Sequence, residues 1–265
     1  MFLHDPFTKA VWDARRAVVG WALGAGGVAL LYTSYYPSVS QPSMVAALKN
    51  YPEGLKKAFN MQDVASPAGY LGSAVFGLLV PVLLAIFMIV AGSRAIAGDE
   101  EAGTLDLVLA HPVSRPRLLL SRLAALATEV LAVSAVVYLL VLAVARPAKV
   151  SSIGIGHLAA ATVQLALFGI CIGALTFAAG AATGRRSTAV GIGTVVAVLG
   201  YFANNLAPSV HSLAWAQRLS PFYYYLHGEP LVHGLQPVDC LVLLGAAAAF
   251  TALGLALFRR RDISV

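Results

Sequence analysis

The chain has 265 residues, 59% of them hydrophobic and only 11% charged, with a mean hydropathy of +0.79. A soluble domain carries about 25% charged residues, so a water-soluble globular protein is excluded, and 27.6 kDa leaves room for one membrane domain and no second soluble one. The net charge of +6 comes from basic residues scattered singly around apolar runs, which is a membrane-topology pattern and not a nucleic-acid-binding patch.

Residues 1–16 are amphipathic, with Phe7, Val11 and Trp12 set against Lys9, Asp13, Arg15 and Arg16, and predict an interfacial helix. The first span follows over Ala17–Tyr36. It has no basic n-region followed by a small-residue cleavage site, so it reads as an uncleaved helix. Gly20 and Gly24 form a GxxxG expected to pack on another helix of the same subunit. The polar stretch Pro37–Gly69 predicts two short helices broken at Pro52 and Gly54. The second span is Tyr70–Gly92, and Pro81 at its middle predicts a kink.

Residues 93–117 form a charged connector. The third span, Leu118–Ala145, is longer than the roughly 20 residues a bilayer requires, so its first turns, with Arg117 and Arg122 beside them, project out of the membrane. A loop over Arg146–His157 leads to the fourth span, Leu158–Ala182, which carries a second GxxxG at Gly169 and Gly173. A tight basic turn at Gly184–Arg186 precedes the fifth span, Ser187–Leu206. Residues 207–239 make a second long polar stretch, and Cys240–Phe258 is the sixth span, followed by Arg259–Asp262. The two cysteines, Cys171 and Cys240, lie in apolar runs and offer neither a disulfide framework nor metal spacing. The fold class is therefore all-α integral membrane, with six transmembrane helices.

Orientation follows from the basic residues. Lys49, Lys56, Lys57, Arg146, Lys149 and Arg218 lie on the far side of an N-terminus placed inside; the other twelve of the 18 lysines and arginines lie on the near side. Both termini are thus expected in the cytoplasm, in a cytoplasmic (inner) membrane protein, and the 93–117 connector faces the same way.

That connector is the densest patch of charge and helix punctuation in the chain. Thr104 can cap a helix whose first turn holds Asp106. Leu105, Val108 and Leu109 then form a narrow apolar stripe. Pro112 ends it, Ser114 is a second N-cap candidate, and Pro116 sits in the first turn of the next helix. A short amphipathic helix between two corners is expected, lying along the membrane surface.

The run AGDEEAGTLDLVLAHPVSRPRLLLSR, residues 97–122, resembles the connector between the second and third membrane helices of ABC-2-type permeases, the membrane subunits of type V fold ABC exporters. Glu100, Glu101, Gly103, Thr104, Pro112, Ser114 and Arg115 stand where that family's pattern has them. The resemblance extends to length, helix number and tail. It implies a cytoplasmic coupling helix that docks on a separate ABC ATPase subunit through Asp99, Glu100, Glu101, Gly103, Thr104, Leu105, Val108, Leu109 and His111. It also implies two ATPase copies holding ATP and magnesium, and a second permease subunit, identical or related. The segment 207–239, which includes Ser220–Tyr225, resembles the family's outer loop with its re-entrant helix; on physics alone its tyrosines are an aromatic belt.

Other readings stand beside these. The carboxylates Asp99, Glu100 and Glu101 can also be a solvated helix end. Glu129 is the one acidic residue well inside a predicted span, which marks either a substrate pathway or a structural carboxylate held by hydroxyls. Arg122 lies two turns away, roughly 10 Å along the axis, too far for direct pairing. Tyr201, Asn204 and Asn205 either border a pathway or cap the fifth span at the far interface. No Gly-Lys dipeptide occurs, so the chain cannot make a P-loop, and there is no GxSxG, HExxH or CxxC. No catalytic or metal site is read here, and ATP, if it drives the protein, is hydrolysed by another polypeptide. The rivals are an intramembrane enzyme using Glu129 or His157, His211, His227 and His233, and a scaffold or immunity protein that binds without transport. The topology is checked by cysteine labelling: a cysteine placed near Lys56 should react with an impermeant reagent from outside and one near Arg186 should not, and the reverse pattern would end the model.

Overall fold

A computed structural model describes residues 5–58, 63–103, 114–207 and 211–260. Six helices are long and apolar enough to cross a membrane: α1 (Pro6–Val39), α4 (Pro67–Arg94), α6 (Arg115–Val144), α7 (Ile155–Thr183), α8 (Arg186–Leu206) and α11 (Pro237–Arg260). Between them lie the short helices α2 (Pro42–Lys49), α3 (Glu53–Ala58), α5 (Ala97–Glu101), α9 (Pro221–Leu226) and α10 (Pro230–His233), with a 3-10 segment at His211–Leu219. Among the described residues there is no strand. The protein is all-α, as the hydropathy pattern predicts.

Local chemistry sets the helix starts. Asp5 caps α1, its carboxylate accepting from the Thr8 N–H, and Ser66 caps α4 by accepting from the Gly69 N–H at 3.0 Å, each with a proline just inside the helix. Ser114 occupies the N-cap position of α6, as expected, although its side chain makes no capping bond. Gly184 ends α7 in the left-handed region (φ 66°), where only glycine sits without strain.

Three expectations are corrected. From Pro6 on, the amphipathic N-terminal stretch is not a separate helix: α1 runs unbroken for 34 residues, about 50 Å, because no proline or glycine interrupts it before residue 20. Gly20 and Gly24 do not pack within the subunit, since a Cβ at either would meet nothing within 4 Å; Gly26, on another face, lies instead against Val136 and Leu140 of α6. Gly54 does not break a helix but lies inside α3, which begins just after Pro52.

At Pro81 the missing backbone donor is accompanied by a change of register. Residues Leu71–Leu79 form a π-helix, and Val80 donates its N–H to the Val75 carbonyl five residues back. In that register the partner of the Phe76 carbonyl would be the N–H of residue 81, which proline lacks. The Tyr225 hydroxyl of α9 donates to the Phe76 carbonyl at 2.7 Å instead. Burial pushes the Tyr225 phenol well above its usual value, so it remains a proton donor. A segment remote in sequence thus satisfies a carbonyl in the second span.

The most buried span is α7, packed by α4, α6, α8 and α11. Its second GxxxG works as a seam. A Cβ at Gly169 would strike Val130 of α6 and Leu84 of α4, and one at Gly173 would strike Met88. Facing it, Gly92 of α4 presses on Thr176 and the Gly173 carbonyl. Leu84, Met88 and Gly92 meet Gly169, Gly173 and Thr176 in the same order, so α4 and α7 run parallel. At the opposite end from α5, Tyr36 donates to the Ala65 carbonyl (2.8 Å) and Tyr70 to the Tyr32 carbonyl (3.0 Å), tying α1 to the start of α4. Gly92→Ala should destabilise the detergent-solubilised protein by about 1–3 kcal/mol, because backbone has to move, while Gly24→Ala should leave its unfolding temperature unchanged. Equal effects of the two changes would show that the α4–α7 seam is not close-packed.

Candidate functional site

The connector begins as an extension of α4 and enters α5 at Ala97. Asp99 and Glu100 lie in the first turn of α5, where the helix dipole favours negative charge. Two of the three neighbouring carboxylates reach residues far along the chain. Asp99 Oδ2 takes a hydrogen bond and ion pair from Arg122 Nη2 of α6 at 2.7 Å, both side chains being largely buried. Glu101 Oε1 accepts the backbone N–H of Arg186 at 2.8 Å, at the first turn of α8, a donor that has no partner within its own helix. The carboxylate therefore caps the fifth span from outside it. Gly103 then turns the chain with φ 65°, its N–H bonded to the Glu100 carbonyl. Thr104, Leu105, Val108, Leu109, His111 and Pro112 lie outside the described residues.

Seven residues beyond Arg122 on α6, roughly 10 Å along the axis, Glu129 is 8% exposed. It does not pair with Arg122, as its distance along the helix predicts, because Arg122 turns to Asp99. Among the described residues Glu129 has no hydrogen-bond or ion-pair partner. It lines a cavity of about 300 Å³ between α1, α4 and α6. Trp21 and Phe87, whose rings lie 5.7 Å apart and tilted by 38°, form an aromatic wall. The Asp99–Arg122 pair also borders the cavity. Sequence reasoning thus named Asp99 and Glu129 separately, and the fold brings them to one cavity.

The remaining candidates lie elsewhere. Asn205 is 19 residues along α8 from Arg186, about 28 Å, at the opposite end of the bundle. Asn204 donates to Asn205 Oδ1 (3.1 Å), and its carbonyl accepts from Gln217 (3.2 Å). Tyr201 packs edge-on against Phe222, with ring centroids 5.5 Å apart. These contacts tie α8 to the 3-10 segment and α9. There Ser220 donates to the Gly200 carbonyl (2.7 Å) and caps α9, and Phe222 and Tyr225 pack, buried, on Phe168. Two of the histidines lie at that same far end, His227 3.7 Å from Asp239 and His233 3.9 Å from Glu229. Among the described residues no three His, Cys, Asp or Glu side chains converge as metal ligands do.

Arg122, Arg186, Trp21 and Phe87 escaped the sequence reading as site residues. A basic residue at a helix start and an aromatic in an apolar run are common, and only the apposition of α1, α4, α6 and α8 gives them roles.

A family model described as "Multidrug efflux system permease Rv1217c, C-terminal domain" matches residues 3–259. No curated protein matches the chain.

The anchoring of α5 is open to a double-mutant cycle. Asp99→Ala and Arg122→Ala should each destabilise the protein, and their combined loss should fall short of the sum by on the order of 1 kcal/mol. Strict additivity in detergent unfolding would mean that the ion pair contributes nothing.

Proposed function

The chain belongs to the multidrug efflux permease family matched over residues 3–259, and we propose that it is the permease subunit of an ABC-2-type exporter with the type V fold. In this reading a separate ATPase subunit, in two copies, binds ATP and magnesium, and its hydrolysis drives export of a substrate across the cytoplasmic membrane. A second permease subunit, identical or related, completes the pathway. Both termini face the cytoplasm, on the side where twelve of the 18 lysines and arginines fall.

The observation that supports this most directly is the anchoring of the charged connector to two spans at once, through Asp99 to Arg122 and through Glu101 to the Arg186 N–H. A push on such a connector moves the third and fifth spans together, because neither bond lets the connector slide freely past them. The resemblance of residues 97–122 to a coupling helix supplies the source of the push. Leu105, Val108 and Leu109 would fill an apolar groove on the ATPase, with Glu100 and Glu101 towards basic residues at its rim. ATP-driven closure of the ATPase pair would then rock the membrane helices and switch the pathway from inward to outward access.

Truncating a buried apolar anchor in an interface often costs more than about 1 kcal/mol, and exposed rim charges contribute less. Leu109→Asp should therefore dissociate or uncouple the ATPase while the six-span domain still inserts, and Glu100→Gln should have a milder, salt-sensitive effect. Pull-down of the co-expressed ATPase, with basal and stimulated hydrolysis, is the measurement. Full binding and full stimulation in both Leu105→Asp and Leu109→Asp would overturn the coupling role and favour a scaffold that does not transport.

A further inference from the structure

The cavity between α1, α4 and α6 carries a charge imbalance. Of the charged groups around it, Arg122 is neutralised by Asp99, and Asp13 and Arg94 are exposed and opposite in sign. Glu129 remains. The residue is more than nine-tenths buried and lines the cavity. Burying an unpaired carboxylate is costly, and such groups inside a membrane domain mark a ligand or ion path. The neighbouring wall is aromatic, formed by Trp21 and Phe87. Aromatic faces attract cations most strongly where water is excluded, with tryptophan the best of them. The volume of about 300 Å³ falls at the small end of sites that hold organic ligands.

We propose that this cavity, formed by helices of a single subunit, binds a lipophilic organic cation, its charge against Glu129 and its apolar body against Trp21 and Phe87. The proposal deepens the efflux reading and rests on it for the claim that the bound cation is a substrate. The binding itself is testable without an ATPase. An anion of the same shape is excluded by Glu129, and an uncharged ligand would leave the carboxylate as unpaired as it is now. A bare metal ion fits poorly, because a single carboxylate beside aromatic rings supplies too few oxygen ligands.

Tetraphenylphosphonium and tetraphenylborate share a shape and differ in the sign of their charge, which makes them a matched pair of probes. The full chain carrying Trp12→Phe and Trp215→Phe retains Trp21 as its only tryptophan, and its emission reports on the cavity. In detergent micelles, tetraphenylphosphonium should change that emission saturably, and tetraphenylborate should not compete. Glu129→Gln, of nearly the same shape, should weaken binding about tenfold or more, and Glu129→Asp should recover part of it. Ala91→Phe, which fills the cavity and keeps the carboxylate, should also abolish binding; it decides the matter if Glu129→Gln does not yield a monodisperse protein. Unchanged affinity in Glu129→Gln, or in Ala91→Phe where that variant decides, overturns the proposal, as does equal competition by tetraphenylborate or the lack of any saturable signal. Pull-down of the ATPase by Glu129→Gln keeps the two readings apart: a lost cation site with an intact ATPase complex removes only this proposal, whereas a saturable cation site in a chain that captures no ATPase removes only the coupling.

Discussion

Inside a bilayer every backbone carbonyl needs a donor, and in the second span the chain's own proline withholds one from Phe76. The π-helix from Leu71 to Leu79 widens the register before Pro81, and the Tyr225 hydroxyl closes the gap at 2.7 Å. That bond explains much of the far end of the bundle. With it α9 packs against α7, where Tyr225 stacks on Phe168, Phe222 meets the same ring tilted, and Ser220 reaches the Gly200 carbonyl. Phe222 and Tyr225 of α9 therefore pack as part of the core, where the aromatic composition of the segment alone would place it as a surface belt.

The near end is organised by charge. Asp99 and Glu101 lie on one short helix and reach different spans, one through a guanidinium and the other through a helix-terminal N–H. Each bond also satisfies a group that is costly to leave unpaired near the membrane, a largely buried arginine in one case and an orphan amide in the other. The first of them borders the cavity in which Glu129, two turns further along α6, lies without a partner among the described residues. The anchor of the connector and the buried carboxylate thus border the same cavity.

Between the two ends runs the α4–α7 seam. Gly92, Gly169 and Gly173 let the backbones approach where any side chain would strike a neighbour. In lipid such packing replaces the hydrophobic drive that assembles soluble bundles. The contrast with Gly20 and Gly24, the same spacing with nothing against it, shows that a GxxxG states a capacity for close approach without naming the partner.

The sequence by itself determined the all-α membrane class and the six spans, because twenty-residue apolar runs and the punctuation between them are local properties that no packing alters. It also marked Glu129, since a carboxylate in such a run stands out without any neighbour. Partners were decided only by tertiary structure. Asp99 and Arg122 are 23 residues apart, Glu101 and Arg186 are 85 apart, and Phe76 and Tyr225 are 149 apart. Nothing in the composition of these segments encodes which helix faces which, because a pattern along one chain records burial and leaves unstated what does the burying. The π register at Pro81 belongs to the same class: proline predicts a missing hydrogen bond, but the donor that reaches the freed carbonyl comes from a segment remote in sequence.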